Sequence, residues 1–179
     1  MSEQKTEPQA AAEAPPGPVA GIVVTLIVVG LIVGWIIIGN MSFDPKGEAV
    51  FAGFLLLWFW ANNEKLDVKR LPSATLGALY GIGLAWLLYA LPTNYGSAGL
   101  VVALLAVIVS LYVQTCNFVP LVINASAMLF LTVAAAPLIL TRVDWINMII
   151  ATLLGAVYFA SVAEGVKWLA AKIGPKPPA

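Results

Sequence analysis

The sequence contains no histidine, a single cysteine and few charged residues, and each scarcity excludes a class of function. Without imidazole the commonest general base and metal ligand is missing, and Cys116 alone can form neither an internal disulfide nor a thiolate metal cluster. Lys and Arg together number 9, as do Asp and Glu, and no basic patch suggests nucleic-acid binding. We therefore predict no cofactor, no metal, no nucleic-acid partner and no enzymatic activity.

Hydrophobic residues, by contrast, make up 61% of the 179 residues, and charged residues only 10%. Between Leu71 and Thr141 the chain carries no Asp, Glu, Lys or Arg. A soluble domain needs charge on its surface, whereas a membrane-spanning helix needs about 20 mostly apolar residues. The sequence therefore predicts an all-α, polytopic membrane protein whose main surroundings are the lipid bilayer.

Six transmembrane helices are predicted from the apolar segments and from the residues that separate them. Gly39-Asn40 suits the end of the first helix, while Asp44 and Pro45 suit the cap and the first position of the second. The predicted spans are about 18–39, 45–61, 72–91, 97–115, 120–140 and 144–169, within a membrane domain of residues 18–172. The polar segments 1–17 and 173–179 are predicted to be disordered cytoplasmic tails.

The basic residues are distributed unevenly between the two sides of such a six-helix chain. One side holds both tails and the loops after the second and fourth helices, and it carries seven cations: Lys5, Lys65, Lys69, Arg70, Lys167, Lys172 and Lys176. The other side carries only Lys46 and Arg142. The positive-inside rule then predicts that both termini lie in the cytoplasm.

Two stretches of the sequence nearly repeat each other. Residues 74–80 read ATLGALY and residues 151–158 read ATLLGAVY, an offset of 77 to 78, and Phe43-Asp44-Pro45 precedes the second helix as Phe118-Val119-Pro120 precedes the fifth. Three helices per copy would invert the second copy, giving the 3+3 inverted repeat found in many transporters. The alternative is chance among residues that are common in membrane helices.

Several small residues are spaced for close helix packing, and this role holds whether or not the repeat is real. They are Gly30 and Gly34 on the first helix, Gly77 and Gly81 on the third, and Gly155 on the sixth.

A solute path, if one exists, needs polar groups inside the membrane segments. The candidates are Asn124, Ser126, Asn117, Gln114, Tyr80, Tyr158 and Glu48. Asn124 is the costliest to bury, so it faces another helix or water, and an interhelical hydrogen bond explains it as well as a solute contact does. Gln114 and Asn117 fit a loop that dips into the protein or ordinary helix ends. Tyr80 and Tyr158 are the paired tyrosines of the repeated stretch.

The chain resembles a family of small six-helix bacterial inner-membrane proteins labelled only as a domain of unknown function. The likeness is carried by FVPLVINASAM at residues 118–128, by DW at 144–145 and by KWLAAK at 167–172. It extends over roughly residues 20–170, with Leu121 standing where the family often has glycine. The resemblance implies a six-helix inner-membrane protein and no particular activity.

Two hypotheses for function follow. The first is a channel or facilitator for a small uncharged solute, with its path between inverted halves and lined by the second and fifth helices. The alternative is a non-transporting structural or accessory subunit of a membrane complex. For the channel, a homo-oligomer is one expectation, because many proteins of this size need several copies to enclose a pore.

Overall fold

The computed structural model describes residues 17–173, and every element in that range is a helix. The helices are α1 Pro18–Ser42, α2 Phe51–Asn63, α3 Leu71–Thr115, α4 Ala125–Ala134, α5 Pro137–Leu140 and α6 Trp145–Ile173. The all-α prediction is therefore confirmed over this range. The predicted disordered tails, 1–17 and 173–179, lie outside the described residues except for Gly17 and Ile173.

The chain divides into two compact units, Met1–Val33 and Gly34–Ala179. In the first unit the described part is Gly17 and the helical segment 18–33, where the hydroxyl of Thr25 donates to the carbonyl of Gly21 at 2.9 Å. A hydroxyl bonded to its own helix needs no outside partner, which suits apolar surroundings. The second unit holds the last residues of α1 together with α2 to α6.

Among the described residues, three helical segments are long and apolar enough to cross a membrane, not six as predicted. They are Gly21–Ser42 of α1, the whole of α3, and Trp145–Leu169 of α6. At 1.5 Å per residue the 13 residues of α2 and the 10 of α4 extend about 20 Å and 15 Å, short of a hydrocarbon core of about 30 Å. The predicted third and fourth helices both belong to α3.

The long helix α3 is a hairpin of two antiparallel arms. Its backbone leaves helical geometry at Gly96, where φ is 60° and ψ is −139°, a conformation that glycine adopts without a side-chain clash. The first arm, 71–95, and the second arm, 97–115, then pack side by side, because Gly99 lies against the carbonyl of Leu91 and the Tyr80 hydroxyl reaches Ser110. The arms are about 37 Å and 28 Å long.

The second helix begins at Phe51, six residues later than the predicted start at residue 45. The carboxylate of Asp44 accepts from the amides of Ala49 and Val50, at 2.5 Å and 2.9 Å, rather than from amides directly after it. Pro45 therefore lies in a turn, and Gly47, with φ of 69°, redirects the chain. Segment 43–50 is consequently non-helical.

The predicted fifth helix, 120–140, is shorter and divided. Its first part is replaced by the non-helical segment 116–124, because Asn124 caps α4 by accepting from the amides of Ser126 and Ala127. Its last part is broken before Pro137, since a residue preceding proline is driven out of the helical region and Ala136 has ψ of 134°. The four-residue α5 follows.

The core of the second unit joins each short helix to a long one that runs in the same direction. One end of α2 shares a cavity with the start of α6, and Lys167 near the other end of α6 donates to the carbonyl of Leu66, just beyond α2. Likewise α4 starts beside Ser73 and continues along Gly81 of the first arm. The largest fully buried side chains include Trp35, Leu56, Trp60, Phe130 and Met148.

Candidate functional site

Asn124 fixes the start of α4 and ties it to the first arm of α3. Its side-chain oxygen accepts from the amides of Ser126 and Ala127, at 3.0 Å and 3.3 Å. Its amide nitrogen donates to the carbonyl of Ser73 at 2.9 Å, with the Ser73 hydroxyl and the carbonyls of Pro120 and Leu121 within 3.4 Å. All the hydrogen-bonding capacity of this half-buried carboxamide is therefore used within the protein.

Small residues let α4 approach the first arm this closely. A Cβ on Gly77 would collide with the carboxamide of Asn124, and one on Gly81 would collide with the carbonyl of Ala127. Ser126 is fully buried, and its hydroxyl donates to the carbonyl of Ala74 at 2.7 Å. Asn124 and Ser126, both candidates for a solute path, are thus placed in a tightly packed helix contact.

The contact between α2 and α6 is also made through glycine. A Cβ on Gly155 would lie 2.6 Å from the Cα of Gly53, and Gly53 itself lies against the carbonyl of Ala151. The indole of Trp35 also lies against Gly53, and its N–H donates to the carbonyl of Val50 at 2.8 Å. The start of α2 therefore contacts both α6 and Trp35 in the last part of α1.

The two tyrosines of the repeated stretch lie at separate places. The hydroxyl of Ser110 donates to the carbonyl of Ala106, so the hydroxyl of Tyr80 donates to the Ser110 oxygen at 2.8 Å. Tyr158 lies on α6 with its oxygen beside Gly34 of α1. Its ring is part of an aromatic cluster with centroid separations of 5.0–5.9 Å, made of Trp35, Phe43, Tyr158 and Phe159.

A cavity of about 350 Å³, lined mainly by charged and polar residues, opens where segment 43–50 meets the start of α6. We term it the vestibule. Its wall residues are Asp44, Pro45, Lys46, Glu48, Arg142, Val143, Asp144 and Asn147. Asp44 is 2% exposed and occupied with the amides before α2, while Asp144 accepts from the amides of Ile146 and Asn147 at the start of α6. Two parallel helices thus begin near the same cavity, and one carboxylate binds the amides just before α2 while another caps α6.

The remaining charges of the vestibule are available to solvent or a solute. Within residues 17–173, Lys46, Glu48 and Arg142 take part in no ion pair, and the ion pair found there joins Lys167 to Glu164 at 2.8 Å elsewhere. The same stretch contains no group of three His, Cys, Asp or Glu side chains arranged to hold a metal. The unpaired charges of the site can therefore hydrogen-bond a small polar molecule.

The candidates singled out from sequence do not meet at one site. Glu48 lies in the vestibule, whereas Gln114 is half-buried in the last turn of α3, and Asn117 is exposed beyond it with φ of 54°. Gly30 belongs to the first unit. The roles of these residues in a solute path stay predictions.

Sequence reasoning missed the grouping of Arg142, Asp144 and Asn147 with Glu48. The available signal was the pair of carboxylates at 44 and 144, each preceding a helix on the side with few cations. Only the packing of α2 along α6 brings the two helix starts together.

Comparison of the chain with protein-family models, with curated proteins and with solved structures finds no match. The resemblance to a family of six-helix inner-membrane proteins accordingly stays a prediction.

Proposed function

We propose that this protein is a six-pass bacterial inner-membrane facilitator for a small uncharged solute, built as a 3+3 inverted repeat. The observation that carries the proposal is the pair of short helices. Each follows a non-helical segment, and each packs in parallel against the third helix of the opposite half. Short helices at matching places of two halves are typical of transporter sites, since non-helical backbone at membrane depth must be buried in protein or line a cavity.

Equivalent positions of the two halves make reciprocal contacts, which supports the repeat. Tyr80 of the first half contacts Ser110 of the second, and Tyr158 of the second half contacts Gly34 of the first. Gly34 and Ser110 are offset by 76, close to the offsets within the repeated stretch. The short helix of each half likewise contacts a matching carbonyl of the other half. The hydroxyl of Ser126 on α4 donates to the carbonyl of Ala74, and Gly53 on α2 lies against the carbonyl of Ala151.

The hairpin of α3 supports six crossings rather than three. Each arm is about as long as the hydrocarbon core is thick, so the arms supply two crossings. Segments 43–63 and 116–140 then supply the second and fifth crossings, where the surrounding helices cover them. Lys46 and Arg142 both line the vestibule. Lys167 donates to the carbonyl of Leu66, in the loop that also holds Lys65 and Lys69. These cations therefore form two groups, one at each end of the helices. The positive-inside rule makes the vestibule periplasmic and both termini cytoplasmic.

The solute path in this proposal starts at the vestibule and is closed by the aromatic cluster. Asp44 in the vestibule wall accepts from the amide of Val50, and the indole N–H of Trp35 donates to the carbonyl of the same residue. Val50 therefore links the vestibule to the aromatic cluster. Passage requires the rings of Trp35, Tyr158 and Phe159 to move. An uncharged solute fits because the arms between the two ends offer no charged partner to a desolvated ion.

A second candidate, a non-transporting accessory subunit, is favoured by one observation. Asn124 and Ser126, the most buried polar groups of α4, are engaged entirely in helix packing. The helices in this alternative serve only to hold a rigid surface for copies of the chain or another membrane protein.

The membrane path is tested with the single cysteine, which is exposed. A membrane-impermeant maleimide is expected to label Cys116 in inverted vesicles and not in intact spheroplasts. In a Cys116→Ser background, Tyr95→Cys at the tip of the hairpin is expected to show the opposite pattern. Labelling of both positions from one side would contradict two crossings by the arms of α3.

Transport is tested by osmotic swelling of proteoliposomes with urea, acetamide and glycerol, and with zwitterionic glycine and cationic choline as comparisons. The uncharged solutes are expected to enter faster than in protein-free liposomes. To block the path after folding, Asn147→Cys in the Cys116→Ser background is coupled to a bulky maleimide, and Tyr95→Cys at the same end serves as the matched control. We expect at least a tenfold loss of the protein-dependent rate with the first variant only.

The outcomes separate the two candidates. Swelling at the protein-free rate for every solute, with folded protein in the bilayer, would contradict the facilitator and leave the accessory subunit. Transport that survives modification of Asn147→Cys would place the path away from the vestibule.

A further inference from the structure

A groove of about 570 Å³ lies between the first arm of α3 and α6, on the outer surface of the helices. Residues within 71–79 and 153–161 line it, so both copies of the repeated stretch contribute. Its two hydroxyl groups are already bonded, that of Thr75 to the carbonyl of Leu71 at 2.9 Å and that of Ser161 to the carbonyl of Val157 at 2.8 Å. The groove therefore favours an apolar occupant.

The length of the groove matches one leaflet of a bilayer. From residue 71 to residue 79 the first arm rises about 12 Å, whereas half of a hydrocarbon core is about 15 Å thick. α6 runs antiparallel to this arm, because the ring of Trp145 at its start lies 6.2 Å from that of Tyr89 and Lys167 near its end reaches Leu66. The groove therefore runs from one end of the helices toward the middle of the bilayer.

Unpaired cations stand at the outer end of the groove. Lys65, Lys69 and Arg70 are exposed, and none has an ion-pair partner among the described residues. Two carboxylates lie in the same stretch, but that of Asp67 accepts from the backbone amide of Lys69, and Glu64 pairs with none of the three. Lys69 and Arg70 directly precede Leu71, where the groove begins.

We propose that this groove binds an anionic phospholipid of the cytoplasmic leaflet. One acyl chain lies between the first arm and α6, and the phosphate lies against Lys69 and Arg70. Basic pockets between membrane helices on the cytoplasmic side are typical headgroup sites. The inference rests on the proposed membrane path but not on transport, since retention of lipid is measured independently of solute movement.

The test is native mass spectrometry of the protein released from nanodiscs that contain phosphatidylglycerol and phosphatidylcholine with identical acyl chains. The wild type is expected to retain one phosphatidylglycerol. The double variant Lys69→Gln/Arg70→Gln is expected to lose about 25-fold in affinity, because each cation near an anionic surface contributes about a fivefold factor. Lys172→Gln, a cation at the same end beyond the groove, is the matched control and keeps the lipid.

The apolar half is tested by filling the groove. Ala160→Phe is expected to abolish retention of phosphatidylglycerol, whereas Leu154→Phe, an exposed position on the same helix outside the groove, leaves it unchanged. Equal retention of both lipids by the wild type, or retention unaffected by both test variants, would overturn the proposal. So would a dimer that Ala160→Phe dissociates while lipid retention persists, since the occupant would then be a second copy. Normal lipid retention with no solute transport would contradict only the facilitator.

Discussion

Replacing Asn124 tests whether this residue acts as a structural bridge between α4 and the first arm of α3. Its oxygen caps two amides, and its nitrogen donates to the carbonyl of Ser73. Loss of an asparagine cap costs about 1 kcal/mol, and a hydrogen bond between membrane helices contributes about 0.6 kcal/mol. We therefore expect Asn124→Ala to lower the free energy of unfolding by about 1.5–2 kcal/mol.

Asn124→Asp separates the two roles. A carboxylate caps a helix as well as a carboxamide does, so both amides keep their acceptor. It cannot donate, however, and it faces the carbonyl oxygens of Ser73, Pro120 and Leu121. The aspartate variant is therefore expected to be at least as unstable as the alanine variant, since an unpaired buried polar group costs about 1–3 kcal/mol.

The assay is reversible unfolding in mixed micelles with increasing dodecyl sulfate, followed by circular dichroism at neutral pH. Thr132→Ala is the control on the same helix, because its exposed hydroxyl bonds only to the carbonyl of Met128, and a change below about 0.5 kcal/mol is expected. Wild-type stability of Asn124→Asp beside an unstable Asn124→Ala would refute the bridge and leave only the cap.

Three further substitutions have expected outcomes in the same assay. Gly155→Val should destabilise the protein by about 1–3 kcal/mol, because the added side chain overpacks against Gly53. Its control on the same helix is Gly165→Ala, which has open space beside it and should be neutral or slightly stabilising. Equal effects of the two substitutions would contradict the close crossing of α2 and α6. Gly96→Ala should cost about 1–2 kcal/mol, since a side chain at φ of 60° is strained even where no neighbouring atom crowds it. An unchanged midpoint of unfolding would argue against the sharp break in α3. Asp44→Ala should cost about 1–2 kcal/mol, because the amides of residues 49 and 50 lose their acceptor. Asp44→Asn keeps a side-chain oxygen and should recover part of this loss. Equal stability of the alanine and asparagine variants would contradict the role of the Asp44 oxygen as the acceptor.

Local signals in the sequence predicted much of the helical content and little of the site. The uncharged run from Leu71 to Thr141 identified apolar helices because hydrophobicity is a property of each residue. The starts of the second and fifth helices were wrong for a shared reason. Asp44 was predicted to cap the second helix, and Asn124 was considered only as a polar group within the fifth. Which amides each of them binds depends on how segments 43–50 and 116–124 bend against other helices.

The site escaped prediction because its residues are distant in sequence. Glu48 was a candidate, yet its neighbours in the vestibule, Arg142, Asp144 and Asn147, come from the far end of the chain. The sequence singled out Asn124 because a carboxamide is costly to bury. That its partners are the carbonyls of Ser73, Pro120 and Leu121 required the packing of α4 on the first arm.

The sequence by itself determined the class of this protein, an all-helical chain with segments apolar enough to cross a membrane, because composition decides which surfaces water can solvate. It also contained the repeated stretch and the small residues at its centre. The tertiary structure decided what those residues do: Gly77 accommodates the carboxamide of Asn124, and Gly155 accommodates the backbone of Gly53. Such close contacts depend on which helices meet and at what depth, and neither quantity is local to any segment of the chain.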